Sequence, residues 1–148
     1  MNIQEVSSNI LTSQAQAIVN PVNTQGVMGK GLALEVKKRY PWAFLSYRQA
    51  YDRGELKTGV VHAVTQDGFT VFNLPTKTKW RLPSQLEYVE TGLQSLAAVL
   101  NASCITSVAV PALGCGNGGL RWSDVRPLIL KCLAECPQVH FELYAPGY

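Results

Sequence analysis

The chain has 148 residues, of which 47% are hydrophobic and 16% charged, with a formal net charge of +3. That length favours one domain, residues 1–148, with a core of its own, and the composition excludes a disordered segment. The charge permits a polyanionic partner without requiring one.

Met1 to Val6 alternates weakly and predicts a first strand, followed by a turn at Ser7-Ser8-Asn9. Ala17 to Asn20 predicts a short buried strand that ends at Pro21, which lacks the N–H of a ladder residue. A glycine loop follows, Asn23-Thr24-Gln25-Gly26-Val27-Met28-Gly29-Lys30-Gly31. Leu32, Val36 and Tyr40 then recur at helical spacing, with Lys37, Lys38 and Arg39 near the helix end, where cations suit the dipole. Pro41 opens a second helix through Arg53, which Gly54 ends. Gly59 to Val64 and Thr70 to Leu74 predict a hairpin turning at Asp67-Gly68.

A basic loop runs from Pro75 to Ser84 and leads into an amphipathic helix from Leu86 to Leu100. Ser84 and Glu87 have the spacing of a capping box. Ser107 to Val110 predicts a strand that feeds a second glycine loop, Pro111-Ala112-Leu113-Gly114-Cys115-Gly116-Asn117-Gly118-Gly119-Leu120. Trp122 to Cys136 predicts a helix capped by Ser123, with Pro127 tolerated in its first turn. His140 to Tyr144 predicts the last strand. This alternation predicts a three-layer α/β/α sandwich with a central mixed sheet. Ligands of such sheets sit beyond the carboxyl ends of the strands, where the two glycine loops and the basic loop would converge.

The four cysteines, Cys104, Cys115, Cys132 and Cys136, form no C-x-x-C pair. Cys132 and Cys136 fit small buried residues better than half a metal site. With no basic N-terminal segment running into an apolar stretch, the expectation is a reduced, cytoplasmic protein without disulfides, metal or cofactor. No apolar run approaches membrane-spanning length, so no membrane partner is expected.

Glycine loops between a strand and a helix expose backbone N–H groups that can cradle phosphate, and two of them suggest two sides of one anion pocket. Gly114 to Gly119 matches G-x-G-x-x-G, but too little chain follows for a dinucleotide-binding unit, and no phosphate-binding G-x-x-x-x-G-K-[ST] occurs. None of the three loops contains a carboxylate, so paired acids of the glycosidase kind are not available. The loop residues able to do covalent or acid–base work are Lys30, Lys77, Lys79 and Cys115. A lysine desolvated in a pocket can lose its proton and act as an amine nucleophile. Cys115, between two glycines, reads as a small residue that lets backbone approach a ligand. His62 and His140 fall within strands and read as core or edge residues. Trp80, flanked by Lys79 and Arg81, fits either a stacking platform for single-stranded nucleic acid or a plain exposed loop.

Several segments in order resemble the macrodomain family of ADP-ribose-binding modules: Ala17 to Asn23, Asn73 to Lys77, Trp80-Arg81, Leu86 to Val89 and Leu113 to Leu120. With Val22 to Gly31 they are most similar to its antitoxin branch, and more distantly to the human terminal ADP-ribose glycohydrolase type. The resemblance covers nearly the whole chain. It implies an enzyme that removes ADP-ribose from a nucleobase, thymidine in single-stranded DNA for that branch, and so reverses the modification made by a cognate ADP-ribosyltransferase toxin. It selects Lys77 as the residue that attacks or electrostatically supports the anomeric carbon of the distal ribose, and Asn23 as its hydrogen-bonding neighbour. The implied ADP-ribose contacts are Asn9, Ile10, Asn20, Thr24, Gly26, Val27, Met28, Gly29, Lys30, Gly31, Thr76, Leu113, Gly114, Cys115, Gly116, Asn117, Gly118, Gly119, Leu120 and Tyr144. Lys79, Trp80 and Arg81 would face DNA.

Two departures stand out. Asn9 occupies the place of a family aspartate that binds the adenine amino group. Asn117-Gly118-Gly119 replaces a catalytic aspartate of the human type, which throws more weight on Lys77. Tyr144 could stack on adenine or simply pack. The branch usually carries a second, toxin-binding domain, so the chain is expected to be an excised domain or a stand-alone hydrolase, and a monomer. The alternatives are a non-catalytic ADP-ribose-binding module and a hydrolase of a small derivative such as O-acetyl-ADP-ribose.

Overall fold

Six strands form one mixed sheet in a computed structural model that describes residues 2–146. Met1, expected at the head of the first strand, lies outside the described residues. The strands are β1 (Ile3–Val6), β2 (Ala17–Val22), β3 (His62–Gln66), β4 (Phe69–Pro75), β5 (Ser107–Val110) and β6 (His140–Tyr144). The helices are α1 (Gly31–Arg39), α2 (Pro41–Asp52), α3 (Leu86–Asn101) and α4 (Trp122–Leu133). The sheet order is β1-β6-β5-β2-β4-β3, parallel except for β3, which pairs antiparallel with β4.

The central strands are apolar on both faces because both are covered. Ala17, Val19, Phe72, Leu74, Val108, Val110, Phe141 and Leu143 pack beneath α3 and α4. Ile18, Val71 and Ala109 face Val36 of α1 and Ala43 of α2. This is the α/β/α sandwich that the alternation predicted. The α3 stripe of Val89, Leu93, Leu96 and Leu100 is fully buried. Gly92 lets α3 lie close on the sheet: a Cβ there would stand 2.6 Å from Leu74 Cδ2. The β3–β4 hairpin turns at Asp67 (φ 53°) and Gly68 (φ 78°), the two left-handed residues of a primed turn.

Several boundaries differ from the sequence expectation. β2 does not stop before Pro21 but continues to Val22, paired with Pro75. The Val22 carbonyl accepts from the Thr76 N–H. Pro21 therefore turns its backbone the other way, toward β5, where the pairing has already ended at Ile18–Ala109. β3 begins at His62 rather than Gly59, which lies in a turn with φ 81°.

Ser84 does not cap α3. Gln85 holds that position without a side-chain bond, and Ser84 is tied elsewhere. α4 is likewise led by Arg121, not capped by Ser123, and it ends at Leu133, with Cys136 in the turn beyond. Pro127 is its sixth residue, so it lies in the second turn and leaves one helical carbonyl without its N–H partner. A short 3-10 turn, Ile10–Thr12, follows the predicted Ser7–Asn9 turn and is capped by Asn9.

Candidate functional site

Because β1, β2, β4, β5 and β6 run parallel, the segments after them emerge at one end of the sheet. They enclose a cavity of about 1010 Å³. That is the upper end of the size range for small-molecule sites. Its wall combines Val6 to Ile10 at the end of β1 and beyond it with Asn23, Val27 and Gly29 to Ala33 from the first glycine loop and the start of α1. Thr76, Lys77, Trp80, Arg81 and Ser84 come after β4, the second glycine loop after β5, and Tyr144 to Pro146 at the end of β6.

The first loop is built around Asn23. Its Oδ1 accepts from the Gln25 N–H at 2.9 Å and the Val27 N–H at 3.4 Å. Its Nδ2 donates to the Val27 carbonyl at 3.0 Å. From beneath, the fully buried Tyr47 hydroxyl donates to the Asn23 carbonyl (2.6 Å) and Oδ1 (2.9 Å). Burial pushes the Tyr47 phenol well above its ordinary range, so it stays a donor. The oxygen of Asn23 is thus occupied, and the group left for a ligand is the second Nδ2 proton. Gly26, with φ 76°, closes against Tyr51, whose Cγ would lie 2.9 Å from a Cβ.

The basic loop is strapped to both glycine loops. Thr24 donates to the Thr78 carbonyl through its N–H (2.9 Å) and its hydroxyl (3.0 Å). The Trp80 N–H donates to Gln25 Oε1 at 2.8 Å. On the other side the Ser84 N–H donates to the Gly118 carbonyl (2.9 Å), and its hydroxyl to Thr76 Oγ1 (3.1 Å). Gly118 must be glycine because a Cβ there would overlap Ser84 Oγ and stand 2.5 Å from the Gly114 carbonyl oxygen.

Lys77 is half-buried in this loop, and its Nζ donates to the Trp80 carbonyl at 3.3 Å. Desolvation first, and the Lys30 charge second, hold its pKa below the ordinary lysine value. No Asp, Glu or His lines the cavity among the described residues, while Lys30, Lys77 and Arg81 do. The site is therefore cationic, and one of its amines has its charged form disfavoured by its surroundings. Burial pushes the Cys115 thiol up, away from a thiolate, and its Sγ faces the Leu113 carbonyl. Trp80 is 43% exposed, and the Arg81 guanidinium lies 5.2 Å from its ring centroid. Among the described residues no three His, Cys, Asp or Glu side chains cluster as a metal site would require.

Of the residues expected at the site, the cavity brings together Asn9, Ile10, Asn23, Val27, Gly29, Lys30, Gly31, Thr76, Lys77, Trp80, Arg81, Gly114 to Gly118 and Tyr144. Eight lie elsewhere. Asn20 is fully buried on the α1/α2 side, donating to Asn73 Oδ1 at 3.0 Å. Met28 is packed with Val22 and Tyr47, and Leu113 is in the core. Thr24 is spent on Thr78, and Gly26 on Tyr51. Gly119 and Leu120 close the second loop onto Gly116 and Gly114. Lys79 is exposed and outside the cavity wall.

Tyr144 is 6% exposed, donates its hydroxyl to Glu142, and turns the small part of it that is accessible to the cavity. Asn9 Oδ1 accepts from the Leu11 N–H at 2.9 Å, and among the described residues its amide protons meet no acceptor. Ser84, Pro111, Ala112, Ala145 and Pro146 also line the cavity, and only their place just after parallel strands signals it.

The Macro domain model matches residues 19–129. The chain belongs to the macrodomain family. It is 44% identical over 145 residues to a Mycobacterium tuberculosis protein named DNA ADP-ribosyl glycohydrolase, covering 95% of this chain. The match spans 41% of that relative's length. The solved macrodomain of Mycobacterium tuberculosis DarG superposes with a TM-score of 0.94 at 43% identity, over 98% of both chains. Thermosipho africanus DarTG, solved in complex with ADP-ribose, superposes at 0.92 with 32% identity, over 98% of this chain and 42% of that one. The matched family segment contains both glycine loops and Lys77, and the cavity of this macrodomain is completed from outside it by Val6 to Ile10 and Tyr144 to Pro146.

Proposed function

We propose that this macrodomain is a DNA ADP-ribosyl glycohydrolase. It releases ADP-ribose from thymidine in single-stranded DNA and so reverses the action of an ADP-ribosyltransferase toxin. The observation that carries this reading is the Lys77 amine: half-buried, held below its ordinary pKa, and set in a cationic cavity wall without a carboxylate. The name of the Mycobacterium tuberculosis relative and the ADP-ribose in the Thermosipho africanus structure support it.

The two glycine loops hold the diphosphate by backbone N–H groups, with Lys30 adding charge. Asn23 donates its remaining amide proton to a distal-ribose hydroxyl. The neutral Lys77 amine attacks the anomeric carbon as its bond to the base nitrogen breaks. The base leaves with the electron pair and takes a proton. Water then releases ADP-ribose and regenerates the amine. Trp80 stacks on a base of the strand while Arg81 meets its phosphates. Four cysteines without a disulfide suit the reducing cytoplasm in which such a modification would be reversed.

The test is release of ADP-ribose from an oligonucleotide carrying it on thymidine, run beside O-acetyl-ADP-ribose. Release from the oligonucleotide supports the proposal. Turnover of the small ester alone would make the protein a metabolite hydrolase. Tight binding of ADP-ribose with no turnover of either would make it a binding module.

A further inference from the structure

We infer that Gln25 is a positioning residue for Lys77, acting through the backbone of Trp80; the inference rests on the role proposed for Lys77. Lys77 is in no ion pair among the described residues. The polar contact that holds its Nζ is the Trp80 carbonyl, at 3.3 Å. Trp80 therefore decides where the amine sits, and little else fixes Trp80. Its ring is half in solvent, with the Arg81 guanidinium beside it. Its anchor is its own N–H on Gln25 Oε1, at 2.8 Å.

The Gln25 backbone is itself held. Its N–H is held by Asn23 Oδ1, which is pinned from below by the buried Tyr47 hydroxyl. A continuous chain of hydrogen bonds thus runs from Tyr47 through Asn23, Gln25 and Trp80 to Lys77. It couples the two residues expected to meet the distal ribose. One N–H of the amine fixed on a carbonyl restricts where its lone pair can point, which is the orientation that nucleophilic attack requires. The strap from Thr24 to Thr78 is separate. It keeps the basic loop attached when Gln25 is lost, so the effect of Gln25 falls on the segment that carries the Lys77 contact.

The experiment is Gln25→Met, which keeps the length of the side chain and removes the acceptor, with Gln25→Ala as a second variant. Lys77 is followed by 13C NMR of lysine Cε during a pH titration, and ADP-ribose affinity and release from the modified oligonucleotide are measured in parallel. Freed from its anchor, Lys77 turns to water and loses the desolvation that depresses it. Its titration midpoint should move up toward the ordinary value of 10.5 in both variants. Release should fall by about ten- to a hundredfold, the cost of misplacing a reacting group, with ADP-ribose affinity unchanged. An unmoved midpoint in both variants overturns the inference, even if release falls, because the loss would then be merely structural. Full release by Lys77→Ala would instead overturn the proposed role of the lysine, and the midpoint would still decide for or against Gln25.

Discussion

Gly118→Ala should unfold the site from within. Gly118 is buried, and an added methyl would overlap Ser84 Oγ and stand 2.5 Å from the Gly114 oxygen, a backbone atom with no rotamer to escape into. Ser84 is 5% exposed and holds two hydrogen bonds, to Gly118 and Thr76, that displacement would break. Overpacking costs about 1–3 kcal/mol, and each of the two lost hydrogen bonds about 1 kcal/mol, so a total of about 3–5 kcal/mol is expected. For a domain of this size that lowers the melting temperature by about 6–20 °C.

Gly116→Ala is the control. It sits in the same loop, but its Cβ would meet nothing within 4 Å, so the free protein should melt as wild type does. Since Gly116 lines the cavity, its methyl should weaken ADP-ribose binding instead. Thermal unfolding by circular dichroism, with calorimetric titration of ADP-ribose, separates the two effects. A Gly118→Ala protein that melts with the wild type would refute the packing argument.

Tyr47→Phe should lower stability in urea by about 1–2 kcal/mol, because it strips a buried donor from the Asn23 carbonyl; unchanged stability would mean that water replaces the hydroxyl. Alanine at Trp80 and Arg81 should raise KM for the modified oligonucleotide by about tenfold or more, since stacking on an aromatic is worth about 1–3 kcal/mol per base, while leaving free ADP-ribose binding intact. Equal losses for both ligands would place these residues in the ADP-ribose site. The release rate should climb as pH rises through the depressed Lys77 value and level off below 10.5, because the amine must be neutral to attack. A rate that falls over that range would mean that the charged form does the work.

The fold was legible because each central strand is buried on both faces and each helix carries one apolar stripe. The glycine loops were legible as loops, and their convergence followed from parallel strands. What escaped was the facing of individual residues within them. Asn20 sits on the α1/α2 face, because alternation along β2 sends Ala17 and Val19 to the other side. Met28 is apolar filling beneath the loop, and Thr24 is a strap.

Ser84 and Glu87 have the spacing of a capping box, but the hydroxyl is claimed by Thr76, and the backbone by a glycine 34 positions away in sequence. Such long-range hydrogen bonds leave no local periodicity to read. Pro21 does not end β2 for a related reason. A proline is tolerated in a parallel strand when its nitrogen faces the side that has no partner.

The most direct measurement is single-turnover release of ADP-ribose from an oligonucleotide modified on thymidine, wild type beside Lys77→Ala, with ADP-ribose affinity confirmed for both. Release by the wild type and loss of about a hundredfold or more in the variant, at equal affinity, is the result predicted for a lysine that reacts with the anomeric carbon. Equal release by both proteins would contradict it and move the chemistry to another group in the cavity.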